Sequence, residues 1–131
     1  MLTKEELVEY FKKDLFATET VGIEIVDITE EAATCRLTVR DGHRNADGGV
    51  MGGVTFTLGD FTAALLVNRG GLRTVSLSAN ISYLGVCKGN TLIAVAKAIK
   101  EGRSVATAEV DISDELGNKV AFMTVNGFRK G

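Results

Sequence analysis

Apolar positions recur along this chain with two different periods, and the changes of period mark its elements. Near the start, in "MLTKEELVEYFKKDLF", Leu7, Phe11 and Leu15 return every four residues, the spacing that puts side chains on one face of an α-helix. Thr3 and Glu6 stand where a capping box needs them, the hydroxyl accepting from the Glu6 amide while the carboxylate reaches back, and Leu2 is set to pack on Leu7. The pattern predicts a capped helix docked by its stripe on the protein's own core, with a lid or partner-binding role as the alternative.

The period then falls to two. "VGIEIVDI" turns Val21, Ile23 and Ile25 to one side, and "ATCRLTVR" turns Cys35, Leu37 and Val39 to one side with Thr34, Arg36 and Thr38 opposite. The two read as half-buried strands of a hairpin joined through "TEEA". Three further strand-like runs lie in the second half: "RTVSLSANISYLG", "NTLIAVAKAIKEG" and "RSVATAEVDISDELGNKVAFMTVNGFRK", the last split by a turn at "DELGN". Turns near 85–90, 101–102 and 114–118 keep the connections short, which favours antiparallel neighbours over crossovers.

Between these groups lies "RNADGGVMGGVTFTLGDFTAALLVN". From Gly48 to Asn68 its only ionisable side chain is Asp60, and Val54, Phe56, Leu58, Phe61, Ala64, Leu65 and Val67 leave no wide polar face. Such a helix is expected to be buried nearly all round. A membrane span fits less well, because the run starts with glycines, carries Thr55, Thr57 and Thr62, and holds an acid in its middle. A single α+β domain over residues 1–131, with five or six antiparallel strands curved around one central helix, satisfies the whole pattern. The absence of proline suits both the ladders and the helix interior.

Composition narrows the function. The 131 residues are enough for one core, and 15 basic against 17 acidic residues give a net charge of −2 with no basic block, so no footprint for nucleic acid or an anionic membrane is present. Cys35 and Cys87 are far apart without CxxC spacing and His43 is the one histidine, which reads as two buried thiols and not as a zinc site. The start lacks the apolar stretch and small-residue cleavage site of a secretory signal, which predicts a cytoplasmic protein.

Candidate chemistry gathers on the central helix. Gly52 and Gly53 fall in its first turn, where amides have no intrahelical acceptor, the helix dipole is positive and the missing side chains let an oxygen approach. Asp60 sits two turns further in, where desolvation raises a carboxyl pKa and the positive helix end is too distant to offset this fully, which suits a poised base or nucleophile. Each has a plainer explanation: Asp60 as acceptor for Thr57 or a second chain, the glycines as room for close packing. The three together favour a site. His43 in a triad with Ser76 and Asp60 is disfavoured, since no GxSxG elbow is present and His43 lies in a polar loop.

The segment "NADGGVMGGVTFTLGD" resembles the signature of hotdog-fold acyl-CoA thioesterases of the PaaI type. In these an Asn is followed six residues later by His-Gly-Gly, and nine residues after that His by a catalytic Asp or Glu; Asn45, position 51 and Asp60 reproduce both spacings. "TVSLSANISYLG" and "KEGRSVATAEVDISDELGNKVAFMTVNGF" are similar to the family's later strands. The resemblance implies a hotdog fold and hydrolysis of acyl-CoA to free acid and CoA. It assigns Asp60 as base or nucleophile, the Gly52 amide as oxyanion donor and Asn45 as a polar partner near the carbonyl. Ser76 matches the Ser or Thr that orients the attacking water, with Ser78 on the same face as second choice. Met51 replaces the family's His and so removes an imidazole from the loop, which leaves rate and substrate choice open. Gly53 and Met51 fall beside the substrate. No metal or redox cofactor is required, CoA entering as part of the substrate, with Arg103, Lys100, Arg69 or Arg73 to meet its phosphates. A non-catalytic acyl-CoA-binding module and a hotdog hydratase are the alternatives.

If Gly52 opens the helix, Asp60 lies eight residues on, roughly 12 Å along the axis at 1.5 Å per residue, too far for both to act on one carbonyl. Two antiparallel helices about a two-fold axis would bring Asp60 of one chain to Gly52 and Asn45 of another. The resemblance implies the same homodimer, with further pairing into a homotetramer.

Overall fold

The structure, a computed structural model, describes residues 2–72 and 74–130. Its first helix, α1 (Lys4–Phe11), opens with the expected capping box, the Glu6 amide donating to Thr3 Oγ1 at 3.1 Å and the Thr3 amide to Glu6 Oε1 at 3.0 Å. Leu7 and Phe11 are buried, but the helix stops at Phe11 and Leu15 is 58 % exposed, outside the stripe. The chain turns at 12–14 and enters one π-helical turn, Phe16–Val21, closed by Gly22 in the left-handed conformation with φ +87°. That cap consumes the start of "VGIEIVDI": Val21 is buried in the turn and the strand β1 (Glu24–Ile28) begins three residues later. A bulge between Ile25 and Asp27 then brings Ile28 to the buried side.

Strand β2 (Ala32–Thr38) turns Ala33, Cys35 and Leu37 inward, all fully buried, and burial pushes the Cys35 thiol pKa up to about 12. Cys87 is half-buried. The central helix α2 (Gly52–Val67) follows, then β3 (Thr74–Tyr83), β4 (Thr91–Glu101), β5 (Val105–Asp114) and β6 (Lys119–Arg129). The six strands form one sheet in the order β1-β2-β4-β5-β6-β3, every pair antiparallel. It packs against α2 as a hotdog fold does.

One connection departs from the expectation of antiparallel neighbours. β3 and β4 are consecutive in sequence but lie apart in the sheet, so the link 84–90 crosses the end of the β5–β6 hairpin. Asp114 holds it there. Its carboxylate accepts from the amides of Lys88 (2.8 Å), Gly89 (3.2 Å), Leu116 (3.0 Å) and Asn118 (2.9 Å) and from the Asn118 side chain. Glu115 adds a second clamp, accepting from the amides of Asn90 and Thr91.

Small side chains on the inner face let α2 settle close to the sheet. Ala94, Ala96, Ala106 and Ala108 are fully buried, and a Cβ on Gly59 would stand 2.1 Å from Met123 Sδ. Leu58, Leu65 and Leu66 of α2 are also fully buried, each worth about 2 kcal/mol of transfer free energy. The helix is not buried all round, however. Gly53 is exposed and Phe56, Thr57, Asp60 and Ala64 are half-buried, a stripe at helical spacing that the sheet leaves open. No helix among the described residues is long and apolar enough to cross a membrane.

Candidate active site

The loop before α2 is built from its own side chains. Asn45 Oδ1 accepts from the amides of Asp47 (3.0 Å) and Gly49 (3.1 Å), while the Asn45 amide donates to the Gly49 carbonyl at 2.8 Å. This folds 45–49 into a tight turn with Gly48 at φ +87°, and among the described residues the Asn45 side-chain amide group makes no hydrogen bond. His43 anchors the loop from below. It is buried, its Nδ1 accepts from the Arg40 amide at 3.1 Å, and its Nε2 lies 2.7 Å from the Val21 carbonyl, to which it donates. With both ring nitrogens engaged on backbone, His43 is a structural post, not a member of a triad and not a residue of a polar loop surface.

The His43 carbonyl accepts from the Met51 amide at 2.8 Å, and Met51 precedes the first helical residue, Gly52. Its side chain is 52 % exposed. The amides of Gly52 and Gly53 thus occupy the first turn, without intrahelical acceptors and at the positive end of the dipole. Tyr83, which no sequence pattern had singled out, completes this end. Its hydroxyl donates to the Gly52 carbonyl at 2.9 Å, and a Cβ on Gly52 would stand 2.9 Å from that same oxygen. Glycine here makes room for the phenol ring.

Asp60 lies on the open stripe of α2, and Ser76 Oγ of β3 lies 3.5 Å from its Oδ1. Burial pushes its carboxyl pKa up, the hydrogen bond from Ser76 pulls it back in part, and the charge of Asp14 adds to the rise. A chamber of about 280 Å³ opens beside it, with Phe16, Phe56 and Phe61 among its walls and Asp14 at its edge. Thr57 does not serve Asp60, because its hydroxyl donates to the Gly53 carbonyl at 2.7 Å.

Ser78 is not on the face of Ser76. A bulge at Leu77 pairs Ser76 with Gly127 but Ser78 with Asn126, and the extra residue turns Ser78 to the outer side of the sheet. There it accepts from Asn126 Nδ2 at 3.0 Å. Arg69 is likewise spoken for: its guanidinium grips Glu101 through two bonds of 2.8 Å and donates to the Glu30 carbonyl at 3.0 Å. Arg103 in the β4–β5 turn and Lys100 near the end of β4 are exposed. They lie at the end of the sheet where α2 finishes, opposite to Gly52, as the Arg69–Glu101 pair at the end of β4 shows. Arg73 lies outside the described residues.

A six-stranded antiparallel sheet wrapped on one central helix defines a hotdog protein, with a lone half-buried acid on that helix. The sequence matches the Thioesterase superfamily over residues 47–130, and the chain belongs to that family, within its PaaI-type acyl-CoA thioesterases. It is 30 % identical to acyl-coenzyme A thioesterase 13 of Mus musculus over 120 residues, 89 % of this chain and 86 % of that protein. The structure of the Escherichia coli PaaI protein superposes with a TM-score of 0.89 at 23 % identity, covering 97 % of this chain and 93 % of that one. A hypothetical thioesterase from Streptococcus pneumoniae, solved with coenzyme A, gives a TM-score of 0.84 at 27 % identity over 92 % and 97 % of the two chains.

Proposed function

We propose that this protein hydrolyses acyl-CoA thioesters at sites shared between two copies, with Asp60 as base or nucleophile and the Gly52 amide of the facing copy as oxyanion donor. Thioester hydrolysis as such follows from the family. Names of relatives, among them acyl-coenzyme A thioesterase 13, and the S. pneumoniae structure with coenzyme A support acyl-CoA as the substrate.

The observation that carries the reading is Asp60 itself: a carboxylate held against Ser76 on the open face of a helix, beside a chamber with aromatic walls. Water held by Ser76 and deprotonated by Asp60 attacks the carbonyl carbon, or the carboxylate itself attacks it and, once CoA has left, the resulting mixed anhydride is hydrolysed by water. The carbonyl oxygen gains charge where the Gly52 amide and the dipole of α2 receive it. The C–S bond then breaks and CoA leaves as a thiolate that takes up a proton. No step calls for a metal or redox cofactor. Asn45 Nδ2 is the polar partner for the carbonyl, Gly53 and Met51 border the substrate, and Arg103 and Lys100 meet the CoA phosphates.

Two copies are needed because Gly52 and Asp60 are separated by roughly 12 Å along one helix. Edge strand β3 supplies the surface. Among the described residues it has no partner on its outer side, and Val75, Leu77 and Tyr83 along it are 44 %, 60 % and 55 % exposed. A homodimer through β3 would bring the second copy's Gly52 to the end where Arg103 lies; further pairing would give a homotetramer, and the compartment we propose is the cytoplasm. A panel of acyl-CoA esters with released thiol as readout tests the reaction. Wild type should release thiol from at least one ester and Asp60→Asn from none; equal rates for the two proteins would overturn it, and CoA binding without release would reassign the protein as a binding module.

A further inference from the structure

The wall of the Asp60 chamber contains a second carboxylate that the reaction does not use. Asp14 is presented by the turn between α1 and the π-helical segment, and its backbone is pinned at both ends. Its amide donates to the Phe11 carbonyl at 3.0 Å, and its carbonyl accepts from the amide (3.0 Å) and hydroxyl (2.9 Å) of Thr18. The side chain borders the same chamber as Asp60, Phe16 and Phe56. Among the described residues its carboxylate has no ion-pair partner. The two lysines next to it in sequence are engaged elsewhere: Lys12 Nζ lies 2.7 Å from Glu9, and Lys13 Nζ sits 5.0 Å above the Tyr10 ring.

The surroundings do not neutralise it either. β3 offers Ser76, a neutral hydroxyl, and α2 offers Thr57, whose hydroxyl is committed to Gly53. Lys130 borders the neighbouring chamber of about 290 Å³ with Ser76 and Tyr10, and among the described residues no Lys or Arg borders the chamber that Asp14 and Asp60 share. An acyl group entering there meets aromatic walls and two acids. We propose that Asp14 is a specificity-determining residue, its carboxylate excluding acyl groups that end in a negative charge and confining the site to neutral acyl chains. The inference rests on the reading of Asp60 as the reactive carboxylate. Like charges at short range in a partly desolvated cleft repel, whether the second charge belongs to substrate or to protein, so the same residue also acts on Asp60 through space.

The test compares hexanoyl-CoA with adipoyl-CoA, equal in chain length and different by one terminal carboxylate, for wild type and Asp14→Asn. Wild type should prefer hexanoyl-CoA in kcat/KM, and Asp14→Asn should narrow that preference roughly tenfold, mainly by improving the adipoyl ester. A second readout needs no turnover: a carbon-13 NMR titration of the Asp60 carboxyl, which should move to lower pH in Asp14→Asn. Asp14→Ser serves if the Asn variant folds poorly, since the bonds at this position are made by the backbone. An unchanged preference with an unchanged Asp60 titration in a folded variant overturns the proposal. If instead Asp60→Asn keeps wild-type turnover, the reading of Asp60 fails, and that result is distinct from a failure confined to Asp14.

Discussion

Asp60 places stability and activity in opposition. Its folded-state pKa is raised by burial, so the folded protein favours the protonated form more than the unfolded chain does. Stability from this group is therefore fully present below the ordinary Asp range and is lost as pH rises through the raised value. Asp60→Asn removes that loss and keeps an acceptor for Ser76. It should raise the thermal midpoint near pH 8 by roughly 2–4 °C, lower turnover by at least about a thousandfold, and leave stability near pH 3 unchanged. Calorimetry at the two pH values checks the sign. The acid limb of kcat/KM in wild type should accordingly lie above the ordinary Asp range. Met51→His is the complementary substitution. Position 51 has φ −61° and ψ 136° with an exposed side chain, a conformation any residue adopts, so the variant should fold and turn over acyl-CoA at an unchanged or higher rate. Residues at this scale were legible where a charge was isolated: Asp60 stood out because nothing else between Gly48 and Asn68 ionises. Ser78 was not, because one extra residue at Leu77 reverses every later side chain and leaves no mark in the pattern. Arg69 and His43 were misplaced for a similar reason, their partners Glu101 and Val21 being more than twenty residues away in sequence.

Elements were legible wherever one period held for a full run. The two-residue period of β2 and of the β5–β6 hairpin, and the unbroken apolar run of α2, are local properties that burial enforces. The order of strands is not local. Nothing in "YLGVCKGN" says that the chain crosses two strands there, because that path is fixed by Asp114, twenty-five residues beyond Gly89. Burial alone would raise the Asp114 pKa, but the hydrogen bonds from Asn118, Lys88 and Gly89 outweigh it and hold the carboxyl well below the usual range. A depressed folded-state pKa contributes stability above the unfolded value and loses it as pH falls through the folded one. Asp114→Asn would turn an amide donor toward donors that the carboxylate now accepts. The variant should melt roughly 10 °C lower at pH 7, with the gap to wild type closing as the pH is lowered below about 4. Thermal melts across that range measure both. Because the link 84–90 follows directly from Tyr83, loosening it should also free the hydroxyl that holds the Gly52 carbonyl, and activity should fall before the fold is lost.

At the scale of the whole molecule the question is which residues face one another across an axis. One chain carries every group proposed for the site but holds Gly52 and Asn45 at one end of α2 and Asp60 two turns away, with Ser76 beside it on a strand at the edge of the sheet. In the dimer proposed above, two antiparallel helices about a two-fold axis would bring these ends together and produce two equivalent sites. Mixing tests this without a structure of the dimer. Asp60→Asn and Asn45→Ala homodimers should each be impaired at both sites, since every site then lacks one of its groups. In a mixed dimer the two lesions fall in the same site, and the other site has an intact Asp60 from one chain and an intact Asn45 from the other. Co-refolding the two impaired variants should therefore restore thiol release toward half the wild-type value per mixed dimer. Differently tagged chains and tandem purification confirm that mixed dimers are present. A pure mixed dimer without activity would mean that each chain completes its own site, which the separation of Gly52 from Asp60 along α2 argues against.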